Sequence, residues 1–259
     1  MGLSFFVYDG MPQVKLILIV VVLVLGWGAA LNAGRPGRGV QRQGAKYLAL
    51  GDSYTIGQSV DAGERYPVQV SRRLTENDHL ACGDPEIIAV TGWTTGNLLE
   101  ALSAVKPGAG DQAAEPASGS GKPRAAYDMV SLLIGVNNQY QGRSQAEYRD
   151  QFTMLLQKSI WLAGNNPAHV LVLSIPDYSV TPFGRTRDTT LIAAQIDSFN
   201  RINYSVAMAY KVNYIDVTAE SRKAAGDPTL VAGDGLHFSG KEYGNWARLM
   251  EPVMKGMLQ

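Results

Sequence analysis

The segment KYLALGDSY, Lys46 to Tyr54, joins a short apolar run to a glycine, an aspartate and a serine. An apolar run of this length bounded by turn residues reads as a buried strand. Four further runs share the pattern: EIIAV (Glu86 to Val90), MVSLLI (Met129 to Ile134), HVLVLSI (His169 to Ile175) and KVNYIDV (Lys211 to Val217). Longer stretches of helical period separate them, near Tyr66 to Leu74, Asn97 to Val105, Gln145 to Leu162, Leu191 to Tyr210 and Gly240 to Leu258. Alternating strands and helices build βαβ units, so the pattern predicts an α/β fold with one mostly parallel sheet of five strands. Two helices carry start signals. Ser144 with Glu147, and Ser239 with Glu242, have the spacing at which the two side chains satisfy each other's backbone donors.

The chain of 259 residues carries 23 Lys plus Arg against 23 Asp plus Glu, which gives no broad basic footprint for phosphate backbones. Nucleic acid is therefore not an expected partner. Cys82 is the single cysteine, so no intramolecular disulfide forms, and His79, His169 and His237 are too few and too scattered for a zinc-finger spacing. The stretch from Lys106 to Arg124 is rich in Gly, Pro, Ala and Ser and reads as a surface loop. Its Gly-Ser-Gly-Lys is no phosphate-binding loop, because Pro116 and Pro123 occupy the places that need Gly and Ser or Thr.

Residues 1–33 form a separate unit. From Val14 to Ala33 the segment is apolar on every side, with Lys15 its only charge. Such a run is a secretory signal, a membrane anchor or a buried core element. Lys15 and the small residues Ala30 and Ala33 favour a cleaved signal, whereas Arg35, Arg38 and Arg42 on the far side favour an uncleaved anchor. Residues 34–45 follow as a linker, and residues 46–259 form the folded domain. The expected location is extracytoplasmic, secreted or periplasmic, or at a membrane held through the first segment alone.

In a parallel sheet, ligands gather outside the carboxyl ends of the strands. Gly51 to Tyr54 follows the first strand, Thr91 to Thr95 the second and Gly135 to Asn138 the third. Ser53 lies in a strand-to-helix turn, where a nucleophile hydroxyl stands clear of its own backbone. Taken alone, Gly-Asp-Ser reads as a tight turn with a helix cap. A serine nucleophile needs a base. His79 and His169 precede strands and so fall at the opposite end of the sheet. His237 lies in a loop before the last helix, with Asp234 three residues earlier, an offset at which a carboxylate can fold back onto the imidazole. By itself that spacing also describes an Asx-type turn beside a solvated histidine. An oxyanion needs convergent donors, for which Gly92 offers an unobstructed N–H and Asn137 an uncharged side-chain amide; Gly96 competes with Gly92.

Taken together, these pieces resemble the SGNH, or GDSL, hydrolase family, whose four blocks occur here in order. Gly51-Asp52-Ser53-Tyr54 is similar to the first block, Thr91-Gly92-Trp93-Thr94-Thr95 to the second, Gly135-Val136-Asn137-Asn138 to the third and Asp234-Gly235-Leu236-His237 to the last. The resemblance runs from residue 46 to about residue 258. It implies a flavodoxin-like three-layer α/β/α sandwich and a triad of Ser53, Asp234 and His237. It also implies an oxyanion hole made by the N–H groups of Ser53 and Gly92 and the amide of Asn137. Two positions depart from the family's usual pattern: Asn138 stands where Asp is common, and Tyr54 where Leu is common.

The expected activity is that of a serine esterase forming an acyl-enzyme on Ser53, with no metal or organic cofactor. Short-chain or acetyl esters are the expected substrates, including esters on carbohydrate, since beyond residue 33 no long apolar stretch suggests a lipid-binding lid. Transfer of the acyl group to a sugar or alcohol is the alternative within enzymes, and a non-catalytic binding module on the same fold is the alternative outside them. Tyr54, Trp93, Tyr140 and Phe183 lie near strand ends and are candidates to wall the substrate site, with simple packing as the other reading.

Overall fold

A computed structural model describes residues 44–103 and 127–259. The expected signal or anchor segment at 1–33, most of the expected linker at 34–45 and the Gly/Pro-rich loop all lie outside those residues. The five strands are β1 (Tyr47–Gly51), β2 (Glu86–Ala89), β3 (Met129–Leu133), β4 (Val170–Leu173) and β5 (Asn213–Ile215). They pair in parallel in the order β2-β1-β3-β4-β5. Every residue of β1, β3 and β4 is buried, as strands covered on both faces require, whereas β2 and β5 at the edges are partly exposed.

The helices are α1 (Ser53–Ile56), α2 (Tyr66–Glu76), α3 (Thr95–Ser103), α4 (Val136–Tyr140), α5 (Gln145–Leu162), α6 (Thr189–Ala209), α7 (Thr218–Ser221) and α8 (Gly240–Met257). The path from β1 to β2 runs one way across the sheet, and all later crossovers run the other way. Right-handed crossovers therefore put α2 on one face and α3, α5 and α6 on the other. The packing agrees: α2 lies against α8, while α5 touches both α3 and α6. The point where the strand order reverses lies between β1 and β3. In open α/β sheets that is where the crevice opens.

The five longer helices match their periodic stretches to within two residues at each end, while α1, α4 and α7 carry no periodic signal because each is one turn or little more. β5 is shorter than the run from Lys211 to Val217. Lys211 takes φ 57° and Val212 N–H donates to Ala207 O at 3.1 Å, so those two residues finish α6 before the strand begins. The paired caps form only in half. Ser144 and Ser239 each accept from the backbone N–H of the glutamate. The Glu242 carboxylate instead holds Trp246 Nε1 at 2.8 Å and Asn245 Nδ2 at 2.7 Å, and Glu147 accepts from Gln151. A reciprocal capping box occurs at Asp61 and Glu64.

Beneath the carboxyl end of β1 lies an aromatic block. Trp246 sits 5.0 Å from Tyr243, 5.7 Å from Phe238 and 6.3 Å from Tyr54, centroid to centroid. Ring pairs at such spacings add about 0.5–1.5 kcal/mol each beyond area burial. The block joins the turn bearing Ser53 to the last helix.

Candidate active site

β1 ends at Gly51 and the chain turns directly into α1, whose first residue is Ser53. Gly51 has no room for a side chain: a Cβ there would stand 2.1 Å from Thr55 Oγ1 and 2.4 Å from Leu133 O. Asp52 caps α1, its Oδ1 accepting from Tyr54 N–H at 3.1 Å. Its Oδ2 is buried and without a hydrogen-bond partner. Burial pushes the Asp52 carboxyl up to about 7, against the pull of the Tyr54 and Gly135 backbone N–H groups.

From the end of β3, Gly135 leads into α4 and places Asn137 on its first turn. Asn137 Nδ2 donates to Trp93 O at 2.9 Å. The amide carries two hydrogens, so one remains for a ligand. Asn138 faces the other way and is wholly buried, its Oδ1 accepting from Thr95 N–H at 3.0 Å and its Nδ2 donating to Thr95 Oγ1 at 2.7 Å. It clamps the start of α3 to α4, and as a neutral amide it both donates and accepts at one residue, which an ionised Asp does not.

The acid–base loop is fastened at several points. His237 Nδ1 lies 2.6 Å from Asp234 Oδ2. Asp234 Oδ1 accepts from the backbone N–H groups of Leu236 and His237, both at 2.9 Å, and Oδ2 accepts from Ser59 Oγ at 2.7 Å. Burial alone would raise the Asp234 carboxyl; the donors from Ser59, His237 and the backbone outweigh it and hold the group well below the ordinary carboxylate range. An ionised acceptor on Nδ1 keeps the proton there and leaves Nε2 as the free base. The loop's ends are closed by the Val231–Phe238 bridge, and Phe183 N–H donates to Gly235 O at 2.9 Å. The Tyr54 ring meets the imidazole edge-on at 5.7 Å.

A pocket of about 330 Å³ brings Ser53, Asn137 and His237 together, with Tyr54, Val136, Tyr140, Tyr178, Phe183 and Leu236 completing its wall. No hydrogen bond joins Ser53 Oγ to His237 among the described residues, and such contacts characteristically tighten when substrate binds. Gly92 does not line this pocket. It is exposed at φ 85° with open space around it, on a loop held by Thr91 Oγ1 donating to Gln58 Oε1 at 2.7 Å. Gly96 falls within the first turn of α3. Trp93 is also absent from the wall, being partly buried against the core, and Tyr178 stands there instead. Tyr178 lies in the loop that follows β4, so the rule that sites gather beyond strand ends points to it, although it stands farther from its strand than Ser53 does from β1. Ser59 gave no signal, because 175 residues separate it from the carboxylate it holds. Among the described residues, no group of three His, Cys, Asp or Glu side chains is placed to hold a metal ion.

The model of the GDSL-like lipase/acylhydrolase family matches residues 49–243. The chain belongs to that family. This GDSL-like hydrolase is a serine hydrolase of ester bonds. No curated protein matches it closely enough to count. Among solved structures it is similar to the lipase Lip_vut3 from goat rumen metagenome, at 17% identity over 83% of this chain and 100% of that one, TM-score 0.62. It is similar also to a lipase/acylhydrolase from Enterococcus faecalis, at 21% identity over 83% of this chain and 97% of that one, TM-score 0.57. A third is Axe2, an acetylxylan esterase from Geobacillus stearothermophilus, at 18% identity over 82% and 94%, TM-score 0.57. At these identities the structures speak for the GDSL-like hydrolase's fold.

Proposed function

We propose that this GDSL-like hydrolase cleaves acetyl and other short-chain esters, including esters carried on carbohydrate, through an acyl-enzyme on Ser53. The observation that carries the reading is the 2.6 Å contact between His237 Nδ1 and Asp234 Oδ2 in the pocket that also holds Ser53 and Asn137. His237 Nε2 takes the Ser53 proton as Oγ attacks the ester carbonyl. The oxyanion is held by the Asn137 amide and by the backbone N–H groups of Ser53 and Gly92. His237 then passes its proton to the leaving alcohol, and water repeats the sequence on the acyl-enzyme.

Short acyl groups are favoured by the pocket's volume of about 330 Å³, at the small end of the range for ligand sites. The rings of Tyr140, Tyr178 and Phe183 suit the flat face of a sugar or aryl alcohol. An acetylxylan esterase among the similar structures fits the same substrate class. The apolar segment from Val14 to Ala33 is taken to deliver the enzyme outside the cytoplasm, as a cleaved signal or as an anchor. Fractionation of cells expressing the full chain tests this, and a cytoplasmic pool alone would refute it.

The deciding experiment follows hydrolysis of a chain-length series of p-nitrophenyl esters by wild type and Ser53→Ala, with fluorophosphonate labelling alongside. The expected result is activity falling with acyl length, loss of nearly all turnover in the variant, and labelling confined to wild type. Unlabelled wild type, or a variant as active as wild type, defeats the assignment.

A further inference from the structure

The mouth of the pocket carries a held cation that the hydrolytic steps do not use. The Arg187 guanidinium lies 4.7 Å from the Phe183 ring centroid and 5.1 Å from that of Tyr140, and its Nη2 donates to Tyr140 Oη at 3.0 Å. Both rings line the pocket, 6.4 Å apart, and Tyr178 stands 6.3 Å beyond Tyr140. Among the described residues, no carboxylate forms an ion pair with Arg187. The adjacent Asp188 is committed elsewhere, capping α6 with its Oδ1 accepting from Leu191 N–H at 2.9 Å. Arg185, two residues back, is turned to Ala225 O at 2.9 Å. Arg187 is thus an exposed guanidinium with a fixed seat, most of its N–H groups free, beside the substrate pocket.

Its position also selects a side of the substrate. Phe183 N–H donates to Gly235 O at 2.9 Å, which ties the Phe183–Arg187 segment to the loop of His237. When the tetrahedral intermediate collapses, the bond from the carbonyl carbon to the alcohol oxygen breaks. That oxygen takes its proton from His237 Nε2, so the alcohol portion lies on the His237 side. We propose that Arg187 is a specificity-determining residue that selects esters whose alcohol portion carries a carboxylate. This rests on the esterase reading of the Ser53 pocket and refines its substrate class. A planar fork of donors matches a carboxylate in two parallel hydrogen bonds, and stacking on two rings lowers the entropy lost in presenting it. An arginine stacked for packing alone would not discriminate by charge.

The test compares two acetyl esters of nearly the same shape, para-acetoxybenzoate and its methyl ester, with the full-length protein as wild type, Arg187→Gln and Arg187→Lys. Replacement by Gln should lower kcat/KM for the anion about three- to tenfold more than for the neutral ester, the range of a partly exposed charge pair. The double ratio cancels both the folded fraction of each preparation and the intrinsic reactivity of each ester. Lys should retain part of the preference as a point charge without the fork. Added NaCl should shrink the wild-type preference, because exposed charges are screened over a Debye length of about 10 Å at 0.1 M. A double ratio of one overturns the proposal while leaving the esterase reading intact. If neither ester is turned over, the esterase reading still stands or falls on fluorophosphonate labelling, and calorimetry decides Arg187: wild type should bind para-hydroxybenzoate more tightly than its methyl ester and Arg187→Gln should not, and equal binding by wild type overturns the proposal.

Discussion

Ser53 and Asn137 stand just beyond β1 and β3, on strands buried along their whole length, with Gly51 wedged against Thr55 and Leu133. Asp234 and His237 stand on a loop in which Asp234 is exposed and a Cβ added at Gly233 or Gly235 would meet no atom nearer than 3.5 Å. Close packing positions the first pair, and hydrogen bonds position the second. Ser59 Oγ, two backbone N–H groups and the imidazole together saturate the Asp234 carboxylate. The difference fits the chemistry each side has to do. Oxyanion donors work best when they need not move, whereas the base must exchange a proton with two partners in turn. A loop held by polar contacts keeps its orientation and still allows small shifts.

The turn after α1 links the two sides. Gly57 closes α1 at φ 69°, Gln58 holds Thr91 on the Gly92 loop, and Ser59, itself at φ 66°, holds Asp234. Three consecutive residues thus set the distance between one proposed oxyanion donor and the acid–base pair.

The sharpest test of the contrast lies on the packed side. Asn137→Ala should lower kcat by about 100- to 1000-fold, the usual effect of losing one oxyanion donor, with thermal stability nearly unchanged because among the described residues the amide makes a single hydrogen bond, to Trp93 O. An intact kcat in steady-state kinetics would remove Asn137 from the site.

Next in size is a stability effect at Asp52, where burial has the opposite consequence to the hydrogen bonds at Asp234. The Asp52 pKa is raised on folding from 3.8 to about 7, so the native state binds the proton more tightly than the unfolded chain. Stability contributed by the neutral acid is therefore complete below about pH 4 and is lost as pH rises to about 7, a change on the order of a few kcal/mol. Asp52→Asn, which keeps the cap oxygen, should flatten that slope in urea titrations run across the window. A slope unchanged by the substitution would mean that Asp52 is ionised throughout.

The smallest expected effect is on the hydrogen-bonded side. Ser59→Ala removes one of four donors to the carboxylate and should cost about 1 kcal/mol of transition-state stabilisation, a several-fold fall in kcat/KM. The Asp234 carboxyl should titrate higher in the variant, read by NMR. A fall as large as that of Asn137→Ala would show that Ser59 dominates the loop's geometry and that the remaining donors are secondary.

The strand and helix alternation, the parallel sheet, and Ser53, Asn137 and His237 as residues of one crevice are legible in the order of the amino acids. Those features are written locally: apolar period, turn glycines and the rule that sites follow strand ends act over a few residues. Tertiary structure alone decided the rest. Glu242 could serve its own cap or the indole of Trp246, and burial of that indole N–H favoured the second. Trp93 gave up the pocket wall to the core while Tyr178 took a place in it, and Gly92 came to lie exposed in an open loop that is not part of the wall. Ser59 reaching Asp234, and Arg187 seated between Tyr140 and Phe183 at the mouth, join residues from separate elements. Contacts between distant segments depend on how whole elements pack, and no local pattern encodes which side chain will find which partner once the backbone has closed.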